Sequence, residues 1–301
     1  MQDRLGPDTP YAVIAFYGGS FTGLPREEQE SYLGVASGFV SMGYASGIRL
    51  STRPDYMDDE VAGFLKERGV KVVELGVQSM DDAVLAASGR GHTSEDVLKA
   101  AGAVKSAGLE LGLQVMAGLP GDTPEGFIAT VRRIIQLNPH FVRIYPVLVV
   151  KNSPLKGLFS RGKYIPLGLD EAVGLCADAV ELFRQAKIKV VRVGLQPGKE
   201  LEDALVAGPY HPAFGHLVES EIAYRRMASA LAGKGEGQAD FLVNPSELSV
   251  YKGIRGENVR KLGLLMKGLG VTIRADGGVE KGGMKLENPH PNPSLARRGD
   301  L

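Results

Sequence analysis

A regular alternation of strand-like apolar runs and helical stretches over about the first 190 residues constrains the fold most strongly. Strands are predicted near residues 12–17, 46–51, 70–76, 110–116, 141–147 and 188–194. The intervening helices are predicted near residues 26–42, 58–68, 80–88, 94–107, 124–136 and 169–186. Strands separated by helices of this length pair in parallel through right-handed crossovers. The sequence therefore predicts an α/β fold built as a barrel or partial barrel.

The predicted strands end in glycine-rich or polar segments. The clearest example is AFYGGSFTGLP at residues 15–25, in which an apolar strand enters a turn that carries Ser20 and Thr22. Similar transitions follow at residues 48–55, 72–79, 114–123 and 142–146. In α/β proteins ligands bind beyond the carboxyl ends of parallel strands, and glycine lets a ligand approach the backbone closely. These ends predict one shared ligand site.

Charge and hydropathy exclude some classes of protein. The 301-residue chain has 35 Lys and Arg against 35 Asp and Glu, so net charge gives no reason to expect a nucleic-acid or membrane partner. No apolar run approaches the roughly 20 residues of a membrane span, and the first ten residues lack the apolar core of a signal peptide. We expect a cytoplasmic protein without a membrane partner.

The chain has one cysteine, Cys176. It shares helical spacing with Val173, Ala177, Val180 and Phe183, which predicts a place in the core. One cysteine forms neither an intrachain disulfide nor a cysteine-rich metal cage, so these residues predict no metal site.

The C-terminal third is predicted to be organised differently from the barrel, which we place at residues 1–197. Residues 198–240 read as a less regular connecting segment and residues 288–301 as a proline-rich disordered tail. Residues 241–287 form a small α+β module with a Gly-x-x-Gly loop at 253–256, a helix, a turn at 268–270 and a strand at 271–275. In KH-type modules such a loop clamps a nucleic-acid backbone, although the pattern alone is weak. Positive residues suited to phosphates surround it here, namely Lys252, Arg255, Arg260 and Lys261.

Six ordered motifs carry a family resemblance that covers residues 12–285. They are GGSFTGLP, STRPD, ELGVQS, RGHT, QVMAGLPGDT and RIYP. In order and spacing they resemble radical S-adenosylmethionine (SAM) enzymes similar to the catalytic subunit of Elongator, more closely the bacterial branch without an acetyltransferase domain. A coproporphyrinogen-oxidase-like enzyme shares the pocket motifs, but STRPD, AFYGGSF and the Gly-x-x-Gly module argue against it.

The resemblance implies a partial (β/α)6 TIM-like barrel and an iron–sulfur enzyme acting on tRNA. In such enzymes a CxxxCxxC loop after the first strand holds a [4Fe–4S] cluster, and an electron donor drives reductive cleavage of SAM to a 5′-deoxyadenosyl radical. This chain has no such loop and starts, by the family's layout, just before the second barrel strand. We expect a fragment truncated at its N-terminus, lacking the first strand and inactive as written. The alternative is a non-catalytic RNA-binding protein that retains a SAM-type pocket.

Residue roles follow from the same resemblance. It implies that Gly18, Gly19 and Ser20 contact the SAM amino group. It also implies that the ribose and carboxylate are contacted by Ser51, Thr52, Gln78, Arg90 and Gln114, and that the adenine is contacted by Gly118 and Leu119. Tyr145 could reach the substrate, and RNA contacts fall to Gly253, Arg255, Gly256 and Arg260.

Structural alternatives stay open for several of these residues. Gly18–Ser20 could form a turn without a ligand, Ser51 and Thr52 could cap a helix or a turn, and Tyr145 could pack in the core. Glu74 could pair with an arginine rather than serve the site. His92 could contact the substrate or merely enter a helix.

Overall fold

The computed structural model describes residues 12–232, 237–265 and 269–287. By contacts the chain divides into two units, with the division between Tyr210 and His211. The domain boundaries proposed from the sequence, after residues 197, 240 and 287, stay predictions. The predicted tail at residues 288–301 lies outside the described residues, as does part of the predicted turn at 268–270.

The first unit is built on a six-stranded parallel sheet. Its strands, in sheet order, are β1 (Val13–Phe16), β2 (Gly47–Thr52), β3 (Val70–Gln78), β4 (Glu110–Ala117), β5 (Phe141–Pro146) and β7 (Lys189–Val193). Each pairs with its neighbour in parallel. All six predicted strands are confirmed to within two residues at each end. The predicted α/β partial barrel is therefore confirmed.

Helices cover one face of this sheet. They are α1 (Arg26–Ser41), α2 (Asp59–Glu67), α3 (Asp82–Ala87), α4 (Ser94–Ser106), α5 (Pro124–Gln136) and α7 (Leu169–Gln185). Alternate strand residues point toward them and are fully buried, namely Leu50, Val73, Leu75, Leu113, Val115 and Ile144. Burying such a side chain contributes about 1.5–3 kcal/mol. The opposite, concave face carries the partly exposed residues of the same strands.

Local capping fixes where several helices begin. Asp58 accepts a hydrogen bond from the Val61 backbone at the start of α2, and Thr93 forms a capping box with Asp96 at the start of α4. Thr123 accepts from the Gly126 backbone with proline in the first turn of α5. Each cap satisfies a backbone N–H that lacks a partner within its own helix.

Smaller elements escaped the sequence analysis. They are β6 (Val149–Val150), α6 (Pro154–Ser160), α8 (Lys199–Ala204) and β8 (Leu205–Ala207), of which β6 and β8 pair antiparallel. The larger omission is α9 (Phe214–Leu231), inside the stretch read as less regular. Its N-cap, Ala213, makes no side-chain hydrogen bond to the helix, so the usual start signal is missing.

The second unit is a small α+β arrangement. After α9 come β9 (Gly237–Val243), α10 (Leu248–Lys252), α11 (Glu257–Leu265), β10 (Leu269–Ala275) and β11 (Met284–Glu287). The strand β9 lies between β10, to which it is parallel, and β11, to which it is antiparallel. Met227, Phe241, Tyr251, Leu262 and Ile273 form its core. The Gly-x-x-Gly loop joins α10 to α11, as predicted for a KH-like module.

None of the helices described is both long and apolar enough to cross a bilayer.

Candidate functional site at the strand ends of the barrel

The loop after β1 leaves open space over its glycines. Gly18 has φ +103°, a conformation that L side chains rarely adopt, so glycine is required there. A Cβ added to Gly18 or Gly19 would meet nothing within 4 Å. Ser20 precedes a short turn at Phe21–Gly23, and its side chain does not cap that turn. The loop therefore offers backbone groups and a hydroxyl to a ligand.

The two residues at the end of β2 have different environments. The Thr52 hydroxyl is buried and lies 2.5 Å from the Thr22 hydroxyl, which ties the end of β2 to the loop after β1. Ser51 is half-buried and pairs in register with Glu74, on the concave face. The structure thus gives Thr52 a local structural contact and leaves Ser51 facing the concave side.

A bulge at the end of β3 presents Gln78. The register with β4 shifts between Gly76 and Gln78, and Gln78 has φ +67°. A non-glycine residue in this region costs about 1–3 kcal/mol and needs support from its surroundings. Gly76 gives room for that side chain, since a Cβ there would lie 2.8 Å from the Gln78 amide nitrogen.

His92 supports the same bulge from behind. It is buried, and its Nε2 lies 3.0 Å from the carbonyl oxygen of Val77. Burial lowers the pKa of His92 despite that hydrogen bond, so the neutral ring donates from Nε2 at neutral pH. Of the two alternatives for His92, the structure therefore supports a positioning contact near a helix entry, to the strand that carries Gln78.

Arg90 brings a free positive charge to the same edge. It follows α3, and its guanidinium donates to the Met116 sulfur at 3.2 Å. Within the described chain no carboxylate pairs with it, and burial together with the nearby Arg53 charge lowers the pKa of Arg90. A cation without a counter-charge is suited to a ligand carboxylate.

The segment after β4 closes this side of the site. Gly118 has φ +86°, and its carbonyl accepts a hydrogen bond of 2.7 Å from the Tyr164 hydroxyl. The Leu119 side chain is buried with Val84, Val147 and other apolar residues, so only its backbone can meet a ligand.

Tyr145 on β5 is half-buried and pairs in register with Met116 on β4, which places it on the concave face rather than in the core.

Below the strand ends lies a charged cluster that the sequence analysis only partly anticipated. Glu74 on β3 is fully buried and accepts hydrogen bonds from Tyr17, Arg49, Gln114 and Arg143. The Arg143 Nε lies 2.7 Å from the carboxylate, and the Gln114 amide lies 3.3 Å from it. Side chains from four segments, at the end of β1 and on β2, β4 and β5, thus converge on the one carboxylate of β3.

The electrostatics of this cluster follow from its contacts. Burial alone would raise the pKa of Glu74, but hydrogen bonds from Arg143 and Tyr17 and the charges of Arg143 and Arg49 outweigh burial and lower it. Burial and the bond to Glu74 raise the pKa of Tyr17 to about 12. At neutral pH the cluster therefore holds one carboxylate, two guanidiniums and a neutral phenol.

Of the alternatives for Glu74, the structure shows pairing with arginines. Gln114 is assigned to the ribose by resemblance, but in the structure its side-chain amide donates a hydrogen bond to Glu74. The sequence analysis missed Tyr17 and Arg49. The signal for Arg49 was available, because a lone arginine within the apolar strand IRLST needs a partner on its own face of the sheet.

In the second unit, the Gly-x-x-Gly loop has the strained backbone that its glycines permit. Gly253, Arg255 and Gly256 all have positive φ, at 72°, 53° and 74°. The loop is held from below by Asn258, whose amide donates to the carbonyls of Ser220, at 2.9 Å, and of two α10 residues.

The positive residues around this loop differ in whether an acidic side chain pairs with them. Lys252, Arg255 and Arg260 are exposed, while Lys261 pairs with Glu257 at 3.2 Å. Among the described residues no carboxylate pairs with Lys252, Arg255 or Arg260, and these three cations lie beside the N-terminus of α11, a position that favours anions.

Comparison with known proteins assigns the fold. The model of the Radical SAM superfamily matches residues 2–134, and that of the Radical_SAM C-terminal domain matches residues 139–224. The chain belongs to the radical SAM superfamily. A solved structure of the archaeal Methanocaldococcus infernus Elp3 with an N-terminal deletion has a TM-score of 0.65 at 24% identity, over 74% of this chain and 55% of that one. This likeness shows the same fold.

Curated relatives place this radical SAM chain close to Elongator-type proteins, as the sequence motifs predicted. A tRNA uridine(34) acetyltransferase of Methanocaldococcus jannaschii is 34% identical over 137 residues, 44% of this chain and 25% of the relative. Elongator complex protein 3 of Saccharomyces cerevisiae is 28% identical over 200 residues, 60% of this chain and 36% of the relative. The matches thus span between a quarter and about a third of these two relatives.

The residues of this radical SAM chain do not fit the family's iron–sulfur cluster. A [4Fe–4S] cluster needs several thiolates, and the sequence has one cysteine. Cys176 is fully buried in α7, and burial raises the pKa of its thiol to about 12. Among the described residues no group of three His, Cys, Asp or Glu side chains could hold a metal ion. For SAM itself the open Gly18–Gly19 loop and the unpaired Arg90 do fit.

Proposed function

We propose that this chain is the SAM-binding barrel and RNA-binding module of an Elongator-like radical SAM protein that acts on tRNA. One observation carries the proposal: glycine-rich and polar strand ends converge on one edge of a radical SAM sheet. The curated relatives named above are tRNA uridine(34) acetyltransferase and Elongator complex protein 3, and the first of these names supports tRNA as the substrate class.

On this proposal, SAM lies across the strand ends of the barrel. The backbone of Gly18 and Gly19 and the Ser20 hydroxyl accept from its ammonium group, while Arg90 pairs with its carboxylate. Ser51 and Gln78 face the ribose, and the backbone of Gly118 and Leu119 borders the adenine. Bidentate pairing of a guanidinium with a carboxylate fixes orientation as well as affinity.

Because the cluster ligands are missing from this sequence, we derive no radical step for this chain. We propose that the chain alone binds SAM weakly, through these contacts only, with a Kd of about 1 mM. Saturation-transfer NMR suits that range. Arg90→Gln should weaken binding about tenfold through loss of the carboxylate contact.

The matched control for Arg90 is Arg132→Gln, because Arg132 is an exposed arginine on α5, away from the strand ends. It should bind SAM as the wild type does. Equal saturation transfer in both variants would contradict the assigned pocket, and micromolar affinity without iron would contradict weak binding.

We assign RNA binding to the Gly-x-x-Gly loop and to Lys252, Arg255 and Arg260, which pair with no carboxylate among the described residues. Arg255→Asp should weaken tRNA binding broadly and reduce the slope of log K against log salt by about 0.7–1. Filter binding at several low salt concentrations measures both quantities. Lys281→Asp makes the matching charge change at an exposed turn of the same unit and should have a smaller effect. Unchanged binding in Arg255→Asp would remove the loop from the proposal.

A second candidate function is favoured by the single buried cysteine: a non-catalytic RNA-binding protein that retains a SAM-type pocket. Reading the DNA upstream of the Met1 codon separates the two candidates, followed by anaerobic reconstitution of any longer form with iron and sulfide. An in-frame CxxxCxxC segment, with about four irons per chain in the longer form, supports the enzyme. The absence of both a cysteine segment and bound iron supports the binding protein.

A further inference from the structure

The concave face of the barrel carries more positive charge than its central carboxylate neutralises. Arg49 on β2 and Arg143 on β5 both pair with Glu74. Arg192 on β7 adds a third guanidinium in the next strand position. In the described part of the chain Glu74 is the only carboxylate paired with Arg49 or Arg143, and none pairs with Arg192. The arginines therefore retain a net positive charge.

Two of these arginines face each other across neighbouring strands. Arg143 and Arg192 are partners in the parallel register of β5 and β7, where strands lie about 4.8 Å apart. Like charges at such positions destabilise a sheet. Arg192 donates to the Gly194 carbonyl at 3.2 Å and to Gln196, both uncharged acceptors. Glu74 offsets part of the Arg143 charge, but among the described residues no carboxylate pairs with Arg192.

Arg49 has an unused donor at the same face. Its Nε is buried and has no hydrogen-bond partner, which is costly for a charged group. Its guanidinium is held by Glu74 on one side and lies 5.2 Å from the centre of the Phe141 ring on the other. The side chains of Arg49 and Arg143 keep 24% and 16% exposure, so a ligand entering the concave side could reach both.

We propose that the concave face binds an oxyanion of the substrate, a carboxylate or a phosphate group, between Arg49, Arg143 and Arg192. Guanidinium forks match both anions geometrically. Glu74 acts as the positioning residue, because it holds two of the arginines in place without contacting the anion. The inference rests on the proposed function, because it names the chemical group of the substrate that would enter the same barrel.

The test titrates the full chain, labelled with ¹⁵N-arginine, with inorganic phosphate and separately with acetate, at an ionic strength held constant with sodium chloride. Neither SAM nor iron is present, so a failure here leaves the SAM and tRNA assignments untouched. Saturable shifts of the Arg49, Arg143 and Arg192 Nε signals are expected. Tighter binding of phosphate identifies a phosphate ester as the natural group, and tighter binding of acetate identifies a carboxylate.

Arg192→Gln should weaken anion binding about fivefold or more, since Arg192 is the guanidinium that Glu74 does not neutralise. Arg192→Lys keeps the charge and should still bind about twofold more weakly, because the two-pronged geometry is lost. Arg132→Gln, on the outer helix α5, is the control and should bind as the wild type does. Absence of saturable shifts with both anions, or wild-type affinity in both Arg192 variants, overturns the proposal.

Discussion

Replacing Glu74 by glutamine should destabilise the barrel strongly. The carboxylate is fully buried and receives hydrogen bonds from two arginines, a tyrosine and a glutamine. Removing one partner of a buried ion pair costs about 3–5 kcal/mol, because the remaining charge stays buried. The arginine side chains keep 16% and 24% exposure, so water can compensate in part and the lower figure, about 3 kcal/mol, applies.

Urea denaturation monitored by pulsed hydrogen exchange on peptides from β3 and β4 measures this loss for the barrel alone. With an m value of about 3 kcal/mol/M, a loss of 3 kcal/mol lowers the urea midpoint by about 1 M. Glu110→Gln is the control, since Glu110 is an exposed glutamate on the neighbouring strand β4, and it should change stability by less than about 0.5 kcal/mol. A loss below about 1 kcal/mol in Glu74→Gln would refute the view that Glu74 compensates buried charge.

The same variant has a defined pH dependence. The pKa of Glu74 in the folded chain lies below its ordinary value of 4.5. A lowered folded pKa gives stability that is complete above the unfolded value and lost as the pH falls through the folded value. The difference between wild type and Glu74→Gln should therefore be full at pH 7 and smaller at pH 3. A difference that stays constant between these pH values would show that Glu74 acts through packing rather than charge.

Three further predictions concern packing and reactivity. Gly112→Ala should destabilise the barrel by about 1–3 kcal/mol in urea unfolding, because a Cβ there would lie 2.3 Å from the Phe141 ring; a neutral effect would contradict the tight contact. Gly253 has φ +72°, and a Cβ added there would lie 3.1 Å from Asn258 atoms, so Gly253→Ala should lower the stability of the second unit by about 1–2 kcal/mol. Gly263 lies in the open middle of α11, so Gly263→Ala should raise that stability by up to about 1 kcal/mol. The opposite order of the two variants in thermal unfolding would disprove this. Cys176, whose thiol pKa burial raises to about 12, should resist a thiol reagent at pH 8 until urea unfolds the barrel, and rapid labelling of the native chain would show that the thiol is accessible.

The barrel was readable from sequence because each strand is a short apolar run bounded by clear signals. Parallel strands covered by helices need continuous apolar residues on the helix side, and β2, β3 and β4 show them. Capping residues such as Thr93 and Thr123 marked where the next helices start. By contrast, α9 begins at Phe214 after Ala213, whose side chain provides no cap. Its place in the second unit depends on contacts with β9 and α11 that a local pattern does not contain.

The candidate site was only half accessible to sequence reasoning. The strand-end glycines stand out in the sequence as glycine-rich turns after apolar strands, whereas Arg90 was assigned only through the family resemblance. The Glu74 cluster joins single residues from separate strands, so no contiguous motif contains it. Only Arg49, within an apolar strand, signalled that a partner was needed. Thr52 and Leu119 also lie in site motifs, and the structure turns the Thr52 hydroxyl toward Thr22 and the Leu119 side chain into the core. A ligand contact through the Leu119 backbone stays a prediction.

The convergence on Glu74 also bears on how the barrel assembles. Tyr17 and Arg143, which share a hydrogen bond, are 126 positions apart in sequence. Closing so long a loop costs chain entropy before any contact is gained, so distant contacts slow folding. Until β1 and β5 have both joined the sheet, Glu74 and its arginines are better hydrated than buried. The sheet can therefore nucleate around β3 and β4, with the ion cluster completed in the last steps, so that mutations of Tyr17 should accelerate unfolding rather than slow folding.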